Sequence, residues 1–134
     1  AAGLKERYFP QGLNRSAARV APVVAYTRKD ALQSSFLLRH FGLPEGAYPC
    51  HYVPGMEAHF AAIRYGLGYG MVPELLLGEA LAQGEVVDLA PHAPLDIALY
   101  WHTWTVQSPR MEQLSRQILE AAPKILAPPQ AVQA

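Results

Sequence analysis

The segment Tyr65-Gly66-Leu67-Gly68-Tyr69-Gly70-Met71-Val72-Pro73 ends one helix, crosses a short strand and opens another. Upstream of it, Met56, Phe60, Ile63 and Leu67 recur at intervals of four, three and four residues, the spacing that lines side chains along one helical face. Gly66 stands where such a helix stops, since a left-handed cap costs glycine least. Tyr69 to Val72 then reads as a short buried strand. Pro73, with its preset φ and missing N–H, suits the first position of the next helix. Helix, glycine loop, strand and helix make half of an α/β layer, and in such folds small molecules bind at the ends of parallel strands.

Composition narrows the function classes. The chain has 134 residues, 51% of them apolar, enough for a single core. Eleven basic residues balance eleven acidic ones, which removes the bulk attraction on which nonspecific binding to DNA or anionic membranes depends. No apolar run approaches a membrane span of ~20 residues, and no signal-peptide pattern opens the chain, so a cytoplasmic setting without a membrane partner is expected. Cys50 is the sole cysteine and excludes an internal disulfide.

Outward from the glycine segment, the strand and helix punctuation repeats. Ala1 to Arg19 reads as two short helical pieces broken at Pro10-Gln11-Gly12, with Asn14 and Ser16 as caps; this lead-in, residues 1–20, is expected to lie outside the core. Pro22 to Tyr26 is a β-branched apolar strand, followed by a helix capped at Asp30 that carries Leu32, Phe36, Leu37 and Phe41 inward and ends at Gly42 and Pro44. Tyr48 to Val53 is a second strand, turned by Pro54-Gly55 into the helix before the glycines. Leu75 to Leu81 is expected as one helix closed by Gly84, and Val86 to Leu89 as a further strand. Asp96 to Trp104 is the longest strand candidate, and Ser108-Pro109 opens a last helix with Met111, Leu114, Ile118 and Ile125 on its apolar face and Pro123 as its kink or end. From Pro128 onward the chain reads as a flexible tail.

Residues able to carry catalysis do not assemble in the sequence. The glycines invite a dinucleotide reading, but that fingerprint needs a strand before them and a helix N-terminus after them; here the order is reversed. Five scattered histidines and one cysteine lack metal-ligand spacing, and no cofactor or metal is expected. Cys50 and His51 are neighbours on a strand and point to opposite faces, which does not suit a nucleophile and its base. The aromatics of Tyr100 to Trp104 fit core or interface better than a cleft wall. Binding is better served: Pro54-Gly55-Met56-Glu57 lies at the end of a strand and the start of a helix, where free backbone N–H groups favour a carboxylate. Tyr26-Thr27 occupies the same end of the neighbouring strand. The plainer alternative is a turn in which Glu57 faces the helix dipole.

The run Gly66 to Pro73 resembles the glycine loop, strand and proline late in the effector-binding domain of LysR-type transcriptional regulators, and the order of elements over nearly the whole chain agrees. Arg7-Tyr8-Phe9-Pro10, Arg15-Ser16-Ala17, Ala21 to Ala25, Pro49-Cys50-His51, Glu57-Ala58 and Leu99-Tyr100-Trp101-His102 resemble the branch that senses lysine and arginine, controls basic amino-acid export and was also described as an inhibitor of chromosome initiation. Where that branch usually carries serines before Glu57-Ala58, this chain has Gly55 and Met56, leaving backbone but not hydroxyl contacts.

The resemblance implies an α/β, type II periplasmic-binding-protein-like effector domain, of which this chain would be the second lobe, residues 21–95, and a returning strand and helix of the first lobe, residues 96–127, with the hinge near Ala90 to Leu95. It also implies a homo-oligomer whose effector is lysine or arginine and which meets DNA only through an N-terminal domain not contained here; the strand-end positions make Tyr26, Thr27, Pro54, Gly55, Met56 and Glu57 the candidates to hold that effector. It implies a regulator and not an enzyme; a small α/β enzyme or a solute-binding lobe of a transport system are the competing classes.

Overall fold

The computed structural model describes residues 1–126, and the tail expected from Pro128 lies outside them. Two compact units divide the chain, residues 1–93 and residues from 94 onward.

In the first unit, helices α1 (Ala2–Tyr8) and α2 (Arg15–Val20) precede strand β1 (Val23–Ala25), helix α3 (Leu32–Phe41), strand β2 (Cys50–Tyr52) and helix α4 (Met56–Arg64). β1 and β2 run parallel, with Val23 opposite Cys50 and Ala25 opposite Tyr52. On β1's other side the Val24 N–H donates to the Tyr69 carbonyl at 2.8 Å, and the Tyr69 N–H donates to the Pro22 carbonyl at 3.0 Å. β1 is therefore the middle of three parallel lines, and the two crossovers pass through α3 and α4. All three β1 residues are buried, as befits a strand covered on both faces. Val23 and Ala25 pack with Phe36 and Leu37 of α3. Val24 packs with Ile63 of α4, Ala80 and Val86.

The glycines of the opening segment serve this packing. A Cβ on Gly68 would stand 2.4 Å from the Pro22 carbonyl oxygen, and one on Gly70 would stand 2.4 Å from that of Val24. No side chain fits so close to a neighbouring backbone, so the Gly-x-Gly spacing is that of a chain laid against β1, as the structural reading of these residues expects. The strand expected over Tyr69 to Val72 contracts to the single bridge at Tyr69.

The expectation that the first twenty residues lie outside the core is corrected. Phe9 is fully buried, and Leu4 and Ala18 are buried with it. The Phe9 ring meets Tyr69 edge-on at 5.1 Å, and the Tyr69 hydroxyl donates to the Ala18 carbonyl at 3.3 Å. Arg15 Nε donates to the carbonyl of Phe41, tying α2 to the C-terminal end of α3, where a cation also suits the helix dipole. The Asn14 side chain caps α2 as its position suggests, accepting from the Ala17 N–H at 3.0 Å.

Past the glycines the expected single helix is divided into a 3-10 turn (Glu74–Leu76) and α5 (Gly78–Ala82). Pro73 precedes that turn in an extended conformation, one place earlier than expected. Gly84 closes α5 with a positive φ. Val86 is buried but no strand forms over Val86 to Leu89, because its neighbours Val87 to Leu89 have no ladder partner.

The second unit holds α6 (Pro109–Ile125), opened by the Ser108 hydroxyl accepting from the Met111 N–H and continuing two residues past Pro123. The strand expected over Asp96 to Trp104 does not form among the described residues. A strand is held by its neighbour's backbone, and among the described residues no strand pairs with this segment. Leu99 and Trp104 are 71% and 86% exposed. Trp101 Nε1 donates to the Ser115 hydroxyl, which donates in turn to Gln107 Oε1. Met111, Leu114 and Ile125 stay exposed on α6.

Candidate ligand-binding site

Parallel pairing of β1 with β2 sends both chains out of the sheet at the same end. The last rung is the Val53 N–H donating to the Ala25 carbonyl at 2.9 Å. Immediately beyond it come Tyr26-Thr27 on one chain and Pro54-Gly55-Met56-Glu57 on the other, so the sequence-derived candidates share one end of the sheet. All are exposed except Thr27, which is half-buried.

Gly55 makes the turn possible. Its φ of +94° is one that only glycine adopts without strain, and its carbonyl accepts the first α4 bond, from the His59 N–H at 2.8 Å. No side chain caps α4. The N–H groups of its first turn therefore point out of the helix without an intrahelical acceptor, the arrangement that draws a carboxylate. Glu57 in that turn is the one acidic group competing for it.

His59 stiffens the turn from below. It is buried and donates through Nε2 to the Val24 carbonyl at 3.2 Å, while its ring lies 6.0 Å from that of Tyr26. Nothing in its sequence position distinguished His59 from the other histidines; the signal was its place three residues into a helix that packs on β1.

A second feature was not legible beforehand. A cavity of about 280 Å³ opens on the α3 face of the sheet, lined among others by Thr27, Arg28, Asp30, Gln33, Glu45 and Tyr52. Of the candidate residues only Thr27 reaches it. Asp30 Oδ1 accepts from the Leu32 N–H at 3.0 Å, the Arg28 guanidinium lies 4.7 Å above the Tyr52 ring, and the Tyr52 hydroxyl reaches Glu45 at 3.5 Å. Burial pushes the Cys50 thiol and the Tyr48 hydroxyl up from their ordinary values, so both are neutral walls at physiological pH. Among the described residues no cluster of histidine, cysteine, aspartate and glutamate could hold a metal ion.

The LysR substrate binding domain matches residues 22–123. The chain belongs to this family. Its architecture is accordingly the α/β, periplasmic-binding-protein-like one. The chain is 40% identical over 122 residues to the HTH-type transcriptional regulator ArgP of Aeromonas salmonicida, covering 91% of this chain and 41% of that protein. Among solved structures, the C-terminal domains of a LysR family protein from Agrobacterium tumefaciens superpose with a TM-score of 0.87 at 32% identity, covering 96% of this chain and 62% of that one. Full-length LysG of Corynebacterium glutamicum with bound effector Arg superposes with a TM-score of 0.80 at 32% identity, covering 94% and 42%. The chain thus spans about two fifths of the length of the curated relatives it matches. No described helix is long and apolar enough to cross a membrane.

Proposed function

We propose that this chain is the effector-binding and oligomerisation part of a cytoplasmic LysR-type regulator that responds to lysine or arginine, and that it is not an enzyme. Residues 21–95 act as the second lobe and residues 96–127 as the returning strand and helix of the first. DNA is met through a part of the longer regulator outside this chain. The ligand's carboxylate sits on the first-turn N–H groups of α4 at Gly55, Met56 and Glu57, with Pro54 setting the turn and Tyr26 and Thr27 forming the facing wall.

The observation that carries this reading is the uncapped N-terminus of α4 at the same sheet end as Tyr26-Thr27. Two things support the effector class: the likeness to ArgP, a transcriptional regulator, and the likeness to LysG, solved with arginine bound. Closing a cleft between lobes would change the spacing of DNA-binding heads in an oligomer.

The test is calorimetry with lysine and arginine on the full-length regulator and its Met56→Pro variant. Met56 is the first helical residue, where proline removes one N–H and is otherwise tolerated. Affinity is expected to fall by roughly 1–3 kcal/mol, the worth of a hydrogen bond to a charged group. Unchanged affinity in a variant of unchanged melting temperature moves the carboxylate elsewhere.

A further inference from the structure

We propose that His59 is the positioning residue of the effector turn: its ring takes the rung of the sheet that the register assigns to Met71, and in doing so fixes the start of α4 against β1. This rests on the reading of the Gly55 turn as the seat of the carboxylate.

The third line of the sheet lacks a rung. In a parallel ladder a residue donates its N–H to one residue of the neighbouring strand and accepts at its carbonyl from the residue two places further on. Val24 faces the third line, since its N–H donates to the Tyr69 carbonyl at 2.8 Å and the Tyr69 N–H donates to the Pro22 carbonyl at 3.0 Å. In that register the Val24 carbonyl belongs to the N–H of Met71. The Met71 N–H has no partner among the described residues, although the chain passes close by: a Cβ on Gly70 would stand 2.4 Å from the Val24 oxygen. The donor that arrives instead is His59 Nε2, at 3.2 Å. A carbonyl only accepts, so the ring carries a proton on Nε2. The contraction of the third line to a single bridge at Tyr69 follows from a side chain standing where a backbone would.

The same residue closes the turn. Its backbone N–H donates to the Gly55 carbonyl at 2.8 Å, the first bond of α4, and its ring lies 6.0 Å from that of Tyr26 on the facing wall. One buried residue therefore joins the glycine, the strand and the wall between which the carboxylate is placed. The turn has no side-chain cap of its own, so the bond to Val24 is what holds it in shape. A turn already held in its bound shape loses less freedom when the ligand arrives.

Two variants separate the donor from the ring. His59→Gln keeps an N–H on the ε nitrogen, whereas His59→Phe keeps a ring and loses the donor. In the 134-residue chain, amide exchange read by NMR should show Met71 slowing roughly fivefold in His59→Phe, as its N–H takes the vacated carbonyl, and keeping the wild-type rate in His59→Gln. Calorimetry of the full-length regulator with arginine should show affinity falling roughly fivefold in His59→Phe and staying within about twofold of wild type in His59→Gln. A ring that only fills space gives the reverse order, because a buried amide is the worse replacement, and that order overturns the proposal. So does a Met71 exchange rate equal in all three proteins. Should either variant not fold, the wild-type imidazole decides: long-range proton–nitrogen NMR is expected to show the proton on Nε2, and a proton on Nδ1 alone overturns the proposal. Arginine bound equally by all three proteins leaves the effector reading standing and removes His59 from it. If neither arginine nor lysine binds the wild type, the effector reading itself fails and takes the positioning role with it.

Discussion

Val23 to Ala25 and Asp96 to Trp104 are both apolar, β-prone runs, yet the first is the buried centre of a sheet and the second lies open with Trp104 almost bare. Intrinsic preference does not separate them; partners do. β1 receives β2 on one side and Tyr69 on the other, whereas among the described residues no strand pairs with Asp96 to Trp104. A β-propensity measures fit to a pleated surface that must be supplied by the rest of the molecule.

The contrast is broken most directly by removing one aromatic from each region. Phe9→Ala, at a fully buried ring packed on Tyr69, should cost about 3–5 kcal/mol in urea unfolding. Trp104→Ala should stay within about 0.5 kcal/mol, because its ring buries almost nothing. The same Trp104 change should reduce self-association, since an exposed apolar segment and helix face is an association surface. Sedimentation velocity is the check. A monomeric wild-type chain whose Trp101 and Trp104 resist a fluorescence quencher would mean that residues 94–126 close their own core, and the contrast would fail.

Next in size is Gly68→Ala. Its new methyl would meet the Pro22 carbonyl, which cannot yield without loosening the bridge from Tyr69 to β1. We expect a loss of about 2–3 kcal/mol, in the range of overpacked interiors. Gly78→Ala, whose Cβ would meet nothing within 4 Å at the start of α5, should be neutral or stabilising by up to about 1 kcal/mol. Equal losses at both positions would show that the glycine spacing does not arise from packing on β1.

Much of the first unit was legible because its signals are local. Helical spacing, Asn14, Ser108-Pro109, Gly42 and Gly66 mark ends that the structure keeps within a residue or two. What was lost depends on residues far apart in the chain. Nothing in Arg7-Tyr8-Phe9-Pro10 itself announces that Phe9 packs sixty residues away on Tyr69. The same holds for the cavity, where Gln33 and Glu45 are ordinary polar residues until α3 and the loop before β2 close over the sheet. The turn at Gly55 was legible because strand end, glycine and helix start are adjacent in sequence.

The smallest expected effect concerns pH and sharpens the contrast from the buried side. Burial, with further pressure from Tyr48 and Cys50, raises the Tyr69 hydroxyl well above its ordinary 10.0, and burial raises the Cys50 thiol above its ordinary 9.0. Both groups are neutral when protonated, so the folded chain keeps protons that the unfolded chain releases. Where the native state binds more protons, stability falls as pH rises. The contribution is complete below about pH 9 and is lost progressively above it, first through Cys50 and then through Tyr69. The urea midpoint should therefore decline above about pH 9. Tyr69→Phe should lower the neutral-pH stability by about 1 kcal/mol, through the lost bond to the Ala18 carbonyl, yet decline less steeply above pH 10. The two curves should converge there. A variant whose alkaline slope matches the wild type would show that the Tyr69 hydroxyl is reached by water, and that the contact of the first twenty residues with the sheet is looser than the Phe9 packing requires.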